Sequence, residues 1–124
     1  MARRRLLLAD DNRELRSLLK LALESAGYEV RLAGDGWEAL DEQRRAPSEV
    51  LIIDLVMPER DGFETIESFR REFPGTKIVV ISGEGRLRAS LYLTAAQLMG
   101  VDATLLKPFD VDVLLHTLRS LERR

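Results

Sequence analysis

Val50-Leu51-Ile52-Ile53-Asp54-Leu55-Val56-Met57-Pro58 is an aliphatic run broken by a single carboxylate. Four consecutive aliphatic residues followed at once by an acid read as a strand covered on both faces, the kind a parallel sheet needs. In open α/β sheets, ligands and chemistry sit in the crevice beyond the carboxyl ends of the strands. Aspartate is almost never fully buried unless it is paired or bound to a metal. Asp54 therefore calls for a chemical reason rather than a packing one.

On the N-terminal side, Leu6 to Ala9 is a short apolar run that passes straight into Asp10-Asp11-Asn12. Asp11 or Asn12 can cap the helix that follows. In that helix Leu15, Leu18, Leu19, Ala22, Leu23 and Ala26 fall at helical spacing, with Arg13, Glu14, Arg16, Lys20 and Glu24 opposite, and Gly27 supplies the stop. Tyr28 to Ala33 reads as a second strand, and Trp37 opens a second helix that ends before Pro47, its indole expected in or near the core. Beyond Asp54, the loop Met57-Pro58-Glu59-Arg60-Asp61-Gly62 leads into a third helix with Phe63, Ile66 and Phe69 inward. Lys77 to Ile81 is a fourth buried strand ending in Ser82-Gly83. Glu84 to Arg88 reads as polar loop, and Leu91 to Met99 as a helix stopped by Gly100. Ala103 to Leu106 is a fifth strand that delivers Lys107-Pro108-Phe109, and Val111, Leu114, Leu115, Leu118 and Leu121 stripe a last helix. Strands alternating with helices predict one α/β domain over 1–124, a flavodoxin-like (βα)5 doubly wound parallel five-stranded sheet of order 2-1-3-4-5, with no output domain attached.

Composition narrows the function classes. The 124 residues carry 45% apolar and 32% charged side chains, with 19 basic against 21 acidic residues for a net charge of −2. No global basic field exists to hold nucleic acid or an anionic membrane, and Arg3-Arg4-Arg5 reads as a solvated edge. The absence of cysteine excludes disulfides, thiolate catalysis and zinc–thiolate sites. His116, the lone histidine, is expected at the surface. No apolar run approaches the ~20 residues of a membrane span, and the apolar segment after the first arginines is too short for a signal peptide. A cytoplasmic protein is expected.

In the 2-1-3-4-5 order four adjacent strands end on polar groups: Asp10 and Asp11, Asp54, Ser82 and Lys107. Three carboxylates in one crevice repel, at about 4 kcal/mol per pair for ~4 Å and an effective dielectric near 20. One lysine cannot neutralise them, so a hard divalent ion with oxygen ligands, Mg²⁺, is the simplest missing charge. A hydroxyl, an ammonium and a metal beside a carboxylate suit an aspartate that accepts a phosphoryl group.

Asp10-Asp11, Asp54-Leu55-Val56-Met57-Pro58-Glu59-Arg60-Asp61-Gly62, Ser82-Gly83 and Lys107-Pro108-Phe109 together resemble the signature of response-regulator receiver domains of two-component signalling, the CheY-like fold, over essentially the whole chain. The resemblance implies that Asp54 takes phosphate from a histidine kinase or histidine phosphotransfer protein. It also implies that Asp11, Asp54 and the Val56 carbonyl ligate Mg²⁺, with Asp10 acting through water. Lys107 would pair with a phosphoryl oxygen, Ser82 would act as the switch hydroxyl, Lys107-Pro108 would be cis, and Val56 and Glu84 would tune loss of the phosphoryl group. Implied partners are the phosphodonor and a downstream protein or fused output domain that reads the face of the fourth helix, fifth strand and fifth helix. The state would be a monomer or a phosphorylation-linked dimer. The chain would be a phospho-acceptor rather than an enzyme.

Two features depart from that family. Thr104 stands where an aromatic ring usually partners the switch hydroxyl, and the Ser82–Lys107 interval is about three residues long in excess, as loops tolerate. The loop with Glu84 and Arg86 is expected to replace part of the aromatic switch. Thr104 also motivates an alternative, a degenerate receiver acting as a phosphorylation-independent docking module. A dehalogenase-type phosphatase wants a second acid two residues after its nucleophile, where this chain has Val56. A flavodoxin-like carrier wants hydroxyl or glycine donors after the first strand, where this chain has two carboxylates.

Overall fold

In the computed structural model, which describes residues 4–56, 62–83 and 86–122, the elements alternate β1 (Arg5–Ala9), α1 (Arg13–Ser25), β2 (Glu29–Ala33), α2 (Gly36–Arg45), β3 (Val50–Asp54), α3 (Gly62–Glu72), β4 (Lys77–Ser82), α4 (Arg86–Leu98), β5 (Ala103–Leu106) and α5 (Val111–Glu122). All strand pairs are parallel and the sheet order is 2-1-3-4-5, the expected topology.

Alternation along the strands explains why their sequences are apolar without a break. Leu7, Leu51, Ile53, Ile78 and Val80 face one layer with Leu40 of α2, Ile66 and Phe69 of α3 and Ala96 of α4. Leu6, Leu8, Ile52, Val79 and Ile81 face the other with Leu19 and Leu23 of α1 and Leu114, Leu118 and Leu121 of α5. A strand covered on both sides has no solvent face to mark with polar residues.

Local chemistry sets the helix ends. The Asn12 side chain accepts from Leu15 N–H at 3.0 Å and Asp35 from Glu38 N–H at 2.8 Å, each satisfying an orphan donor of the first turn. Gly27 ends α1 at φ 100°, where Tyr28 N–H reaches Leu23 O and Gly27 N–H reaches Glu24 O in a Schellman arrangement. The Tyr28 hydroxyl donates to Glu122 at 2.8 Å and ties the start of β2 to the end of α5. Burial and that acceptor push the phenol up to about 12.

The structure corrects the sequence reading of several helix positions. The fourth helix starts at Arg86, not Leu91, so the supposed loop through Arg88 is largely helix. Arginine, leucine and alanine are good helix formers, and Ala89 in the first turn is fully buried. Trp37 is 54% exposed rather than core. The buried positions of α2 are Gly36, Ala39, Leu40 and Gln43, and residue 37 lies off that stripe. Leu18 is 64% exposed because it lies roughly 120° around α1 from the Leu19/Leu23 direction at 100° per residue. Phe69 is buried, Phe63 is half-buried and His116 is exposed, as expected.

Among the described residues, no helix is long and apolar enough to cross a membrane.

Gly27 offers a test of the capping account. Nothing lies within 4 Å of an added Cβ, so Gly27→Ala meets only the backbone penalty of the left-handed region. It should lower stability by about 1–2 kcal/mol in urea unfolding. An alanine variant as stable as the parent would refute the motif as a stability element.

Candidate functional site

Register brings the polar strand ends to one rim. Ala9 pairs with Ile53, Asp54 with Ile81 and Ser82 with Leu106, so Asp10, Asp54, Ser82 and Lys107 emerge at nearly one level. Carboxylate oxygens of Asp10, Asp11 and Asp54 all lie within 4.8 Å of one another, close enough to share one cation.

Their environments differ. Asp10 is fully buried, Asp54 is 6% exposed and Asp11 is exposed. Lys107 Nζ sits between the two buried acids, 2.8 Å from Asp10 Oδ2 and 3.0 Å from Asp54 Oδ2. Asp10 Oδ1 accepts from Asn12 N–H at 2.9 Å, and Asp54 Oδ1 from Val56 N–H at 3.1 Å. Among the described residues, no hydrogen bond or ion pair holds the Asp11 carboxylate.

Lys107 reaches the acids across the end of β4. A Cβ on Gly83 would lie 2.6 Å from Lys107 Cβ and 3.0 Å from its Cδ, so the lysine stem runs over a position that has no room for a side chain. Lys107 N–H also donates to Ser82 O at 2.8 Å, which fixes the stem's origin. The Lys107-Pro108 bond is cis, as expected. Ser82 Oγ is fully buried and has no hydrogen-bond partner among the described residues.

Electrostatics follow from this packing. Burial raises the Asp54 pKa, and Asp10 adds to the rise, outweighing the Val56 N–H and the Lys107 charge that act to lower it. Burial works to lower Lys107, but the Asp10 hydrogen bond and the charges of both acids more than offset it, so the ammonium is held above its ordinary range. Asp54 is thus a carboxylate whose ionisation is costly in the metal-free protein, and any further cation at the rim relieves that cost.

Thr104 is half-buried on β5, where its Oγ1 accepts from Gln97 Nε2 of α4 at 3.1 Å. Glu84 and the side chain of Arg86, expected to take part in the switch, lie outside the described residues, as does the loop 57–61. Arg16, assigned to the solvent side of α1, is instead half-buried, with Nη1 donating to Asp10 O at 3.0 Å. The clue in the sequence is Gly34 directly after β2, which leaves space for that guanidinium.

Comparison with known proteins agrees with this geometry. The family described as response regulator receiver domain matches residues 6–119. Response regulator MprA of Mycobacterium leprae is 37% identical over 121 residues, covering 97% of this chain and 51% of that protein. The chain spans about half the length of the curated relatives it matches. The chemotaxis response regulator CheY4 of Vibrio cholerae superposes with a TM-score of 0.86 at 31% identity, covering 97% and 99% of the two chains. A response regulator receiver protein from Pseudomonas putida gives 0.85 at 30% identity, covering 97% and 98%.

The raised Asp54 pKa fixes the sign of a pH effect. Below the ordinary value of 3.8 the group is protonated in both folded and unfolded chains and costs nothing. As pH rises through the folded pKa the acid must ionise in place, and the penalty becomes complete. In chelator, Asp54→Asn should therefore melt above the parent near neutral pH, with the margin closing as pH falls toward 3.8. A parent that melts above the variant at neutral pH, or a margin indifferent to pH, would contradict the assignment.

Proposed function

The chain belongs to the response regulator receiver domain family, and on that premise we propose that it is the receiving component of a phosphorelay, with Asp54 as phospho-acceptor. The observation that carries this reading is the pairing of a buried Asp54 with Lys107 at 3.0 Å on a rim shared by two more carboxylates. The donor is a phosphohistidine on a histidine kinase or histidine phosphotransfer protein. An Asp54 oxygen attacks phosphorus, an O–P bond forms as the P–N bond breaks, and the imidazole leaves with its proton.

The donor set suits magnesium: hard oxygen ligands, a net surplus of negative charge and an exposed acid with no partner among the described residues. When bound, the ion would be held by Asp11, Asp54 and the Val56 carbonyl, with Asp10 through water, and would neutralise oxygens of the incoming phosphoryl group. Lys107 keeps its place between Asp10 and Asp54 and donates to a phosphoryl oxygen. The buried Ser82 hydroxyl, unpartnered at rest among the described residues, turns to donate to another. Water later attacks phosphorus, the Asp54 O–P bond breaks, and inorganic phosphate leaves with the carboxylate regenerated, at a rate tuned by Val56 and Glu84.

The chain acts in this reading as a switch in the cytoplasm, not as an enzyme turning over an independent substrate. Its output is a change in the face of α4, β5 and α5 presented to a downstream protein or fused output domain, as a monomer or a phosphorylation-linked dimer. The alternative of a phosphorylation-independent docking module draws on Thr104 bonding to Gln97 in place of a mobile ring.

Acetyl phosphate separates the two readings. With Mg²⁺, the parent should acquire one hydroxylamine-labile phosphoryl group and Asp54→Asn none. A parent that stays unmodified would favour the docking module. Mg²⁺ alone should raise the melting temperature by mass action, with about 2.7 kcal/mol of added stability at a hundredfold excess over Kd. An unchanged melt across a magnesium titration would remove the metal from the mechanism.

A further inference from the structure

We propose that Arg16 is a positioning residue for the acidic rim, acting through the peptide that joins Asp10 to Asp11, and that Gly34 is required to admit it. The inference rests on the magnesium reading above and concerns how the chain holds the ligands.

The two peptides that flank the Asp10 Cα are each held, and Arg16 holds the second, the one that joins Asp10 to Asp11. The Asp10 N–H donates to Ala33 O at 3.1 Å, and the Asp10 carbonyl accepts from Arg16 Nη1 at 3.0 Å. Arg16 is itself anchored in the first turn of α1, where its N–H donates to Asn12 O at 3.0 Å. The Asp10 carboxylate has further restraints in Asn12 N–H and Lys107 Nζ. The exposed Asp11 carboxylate has none among the described residues, so its placement depends on its backbone. The peptide plane that Arg16 grips is the one from which Asp11 departs.

Gly34 follows Ala33 at the end of β2. A Cβ there would lie 2.6 Å from Arg16 Nη1 and 3.7 Å from its Cζ, so any side chain displaces the guanidinium. The pair acts as one device: a glycine that opens a slot and an arginine that reaches through it to the loop carrying the acids.

Charge and geometry predict opposite signs. A guanidinium near a divalent site repels the ion, so if Arg16 acted only as a charge, its removal would tighten magnesium binding. If it acts by orienting the ligands, its removal loosens binding, as loss of outer-shell partners does.

Isothermal titration of the full chain with Mg²⁺ decides the matter. Arg16→Ala should raise the magnesium Kd about tenfold or more, on the scale of lost outer-shell contacts. Arg16→Lys, which keeps the charge and one donor, should recover part of the loss. Gly34→Ala should reproduce the Arg16→Ala defect, and the double variant should be no worse than either alone. Should Arg16→Ala fail to fold, Gly34→Ala and Arg16→Lys carry the comparison. A Kd that is unchanged or lower in Arg16→Ala, or additive defects in the double variant, would overturn the positioning role while leaving the magnesium site intact. A parent that takes up no Mg²⁺ would overturn the metal reading, and the inference with it.

Discussion

The Lys107 ammonium lies between two buried carboxylates, and the architecture is arranged so that it can. Its partners stand 97 and 53 positions away in sequence, on the ends of β1 and β3, while the lysine itself follows β5. The parallel order 2-1-3-4-5 brings those ends to one edge, and the long side chain, crossing the end of β4, closes the gap. Gly83 makes that crossing possible by offering no side chain beneath the stem. Removing the ammonium would leave two buried carboxylates uncompensated, at about the 3–5 kcal/mol lost when a buried pair is stripped of one partner. The rim therefore depends on register, since a one-residue slip of β3 would turn Asp54 into the opposite layer.

Compensation at the rim is incomplete by design of the charges themselves. Three acids share one ammonium, and the most exposed of them, Asp11, is the one without a partner among the described residues. Burial, with a smaller push from Asp10, raises Asp54, while the two acids raise Lys107 against the effect of its own burial. An added cation near these carboxylates would favour the charged form of Asp54.

Much of this was legible in the sequence because the strands are buried on both faces. Unbroken runs such as Val50 to Ile53 leave little choice but a parallel sheet, and each run ends abruptly on the polar residue it delivers. Asp10, Asp11, Asp54, Ser82 and Lys107 could be found by asking only what each strand hands to the crevice. The parts that escaped depend on angle and reach. Trp37 and Leu18 sit a fraction of a turn away from their helices' buried stripes, a difference blurred when the whole apolar set is taken as one face. The start of α4 was hidden because Arg86-Leu87-Arg88 reads as polar as a loop, while the buried residue of its first turn, Ala89, is small enough to pass unnoticed. Arg16 was hidden because a flexible cation on a helix is ordinarily solvated, and only the slot at Gly34 reveals where its guanidinium goes.

Thr104 was legible as an oddity but not as a contact. On β5 it pairs with Val80 of β4, two residues before the pairing of Ser82 with Leu106, so it lies on the strand that Lys107 continues. Its hydroxyl takes a hydrogen bond from Gln97 of α4, whereas an aromatic ring at this position would couple to its surroundings through packed volume. A hydrogen bond is directional and fails within a few tenths of an ångström, while a ring in a loose slot can swing between two states. Ser82 adds the opposite property. A buried hydroxyl with no partner carries a cost of about 1–3 kcal/mol that any acceptor placed within reach would relieve. Lys107 N–H on Ser82 O joins the two strand ends mechanically. Ser82 at the rim and the Thr104–Gln97 contact between β5 and α4 are thus linked through Lys107 and the strand it continues.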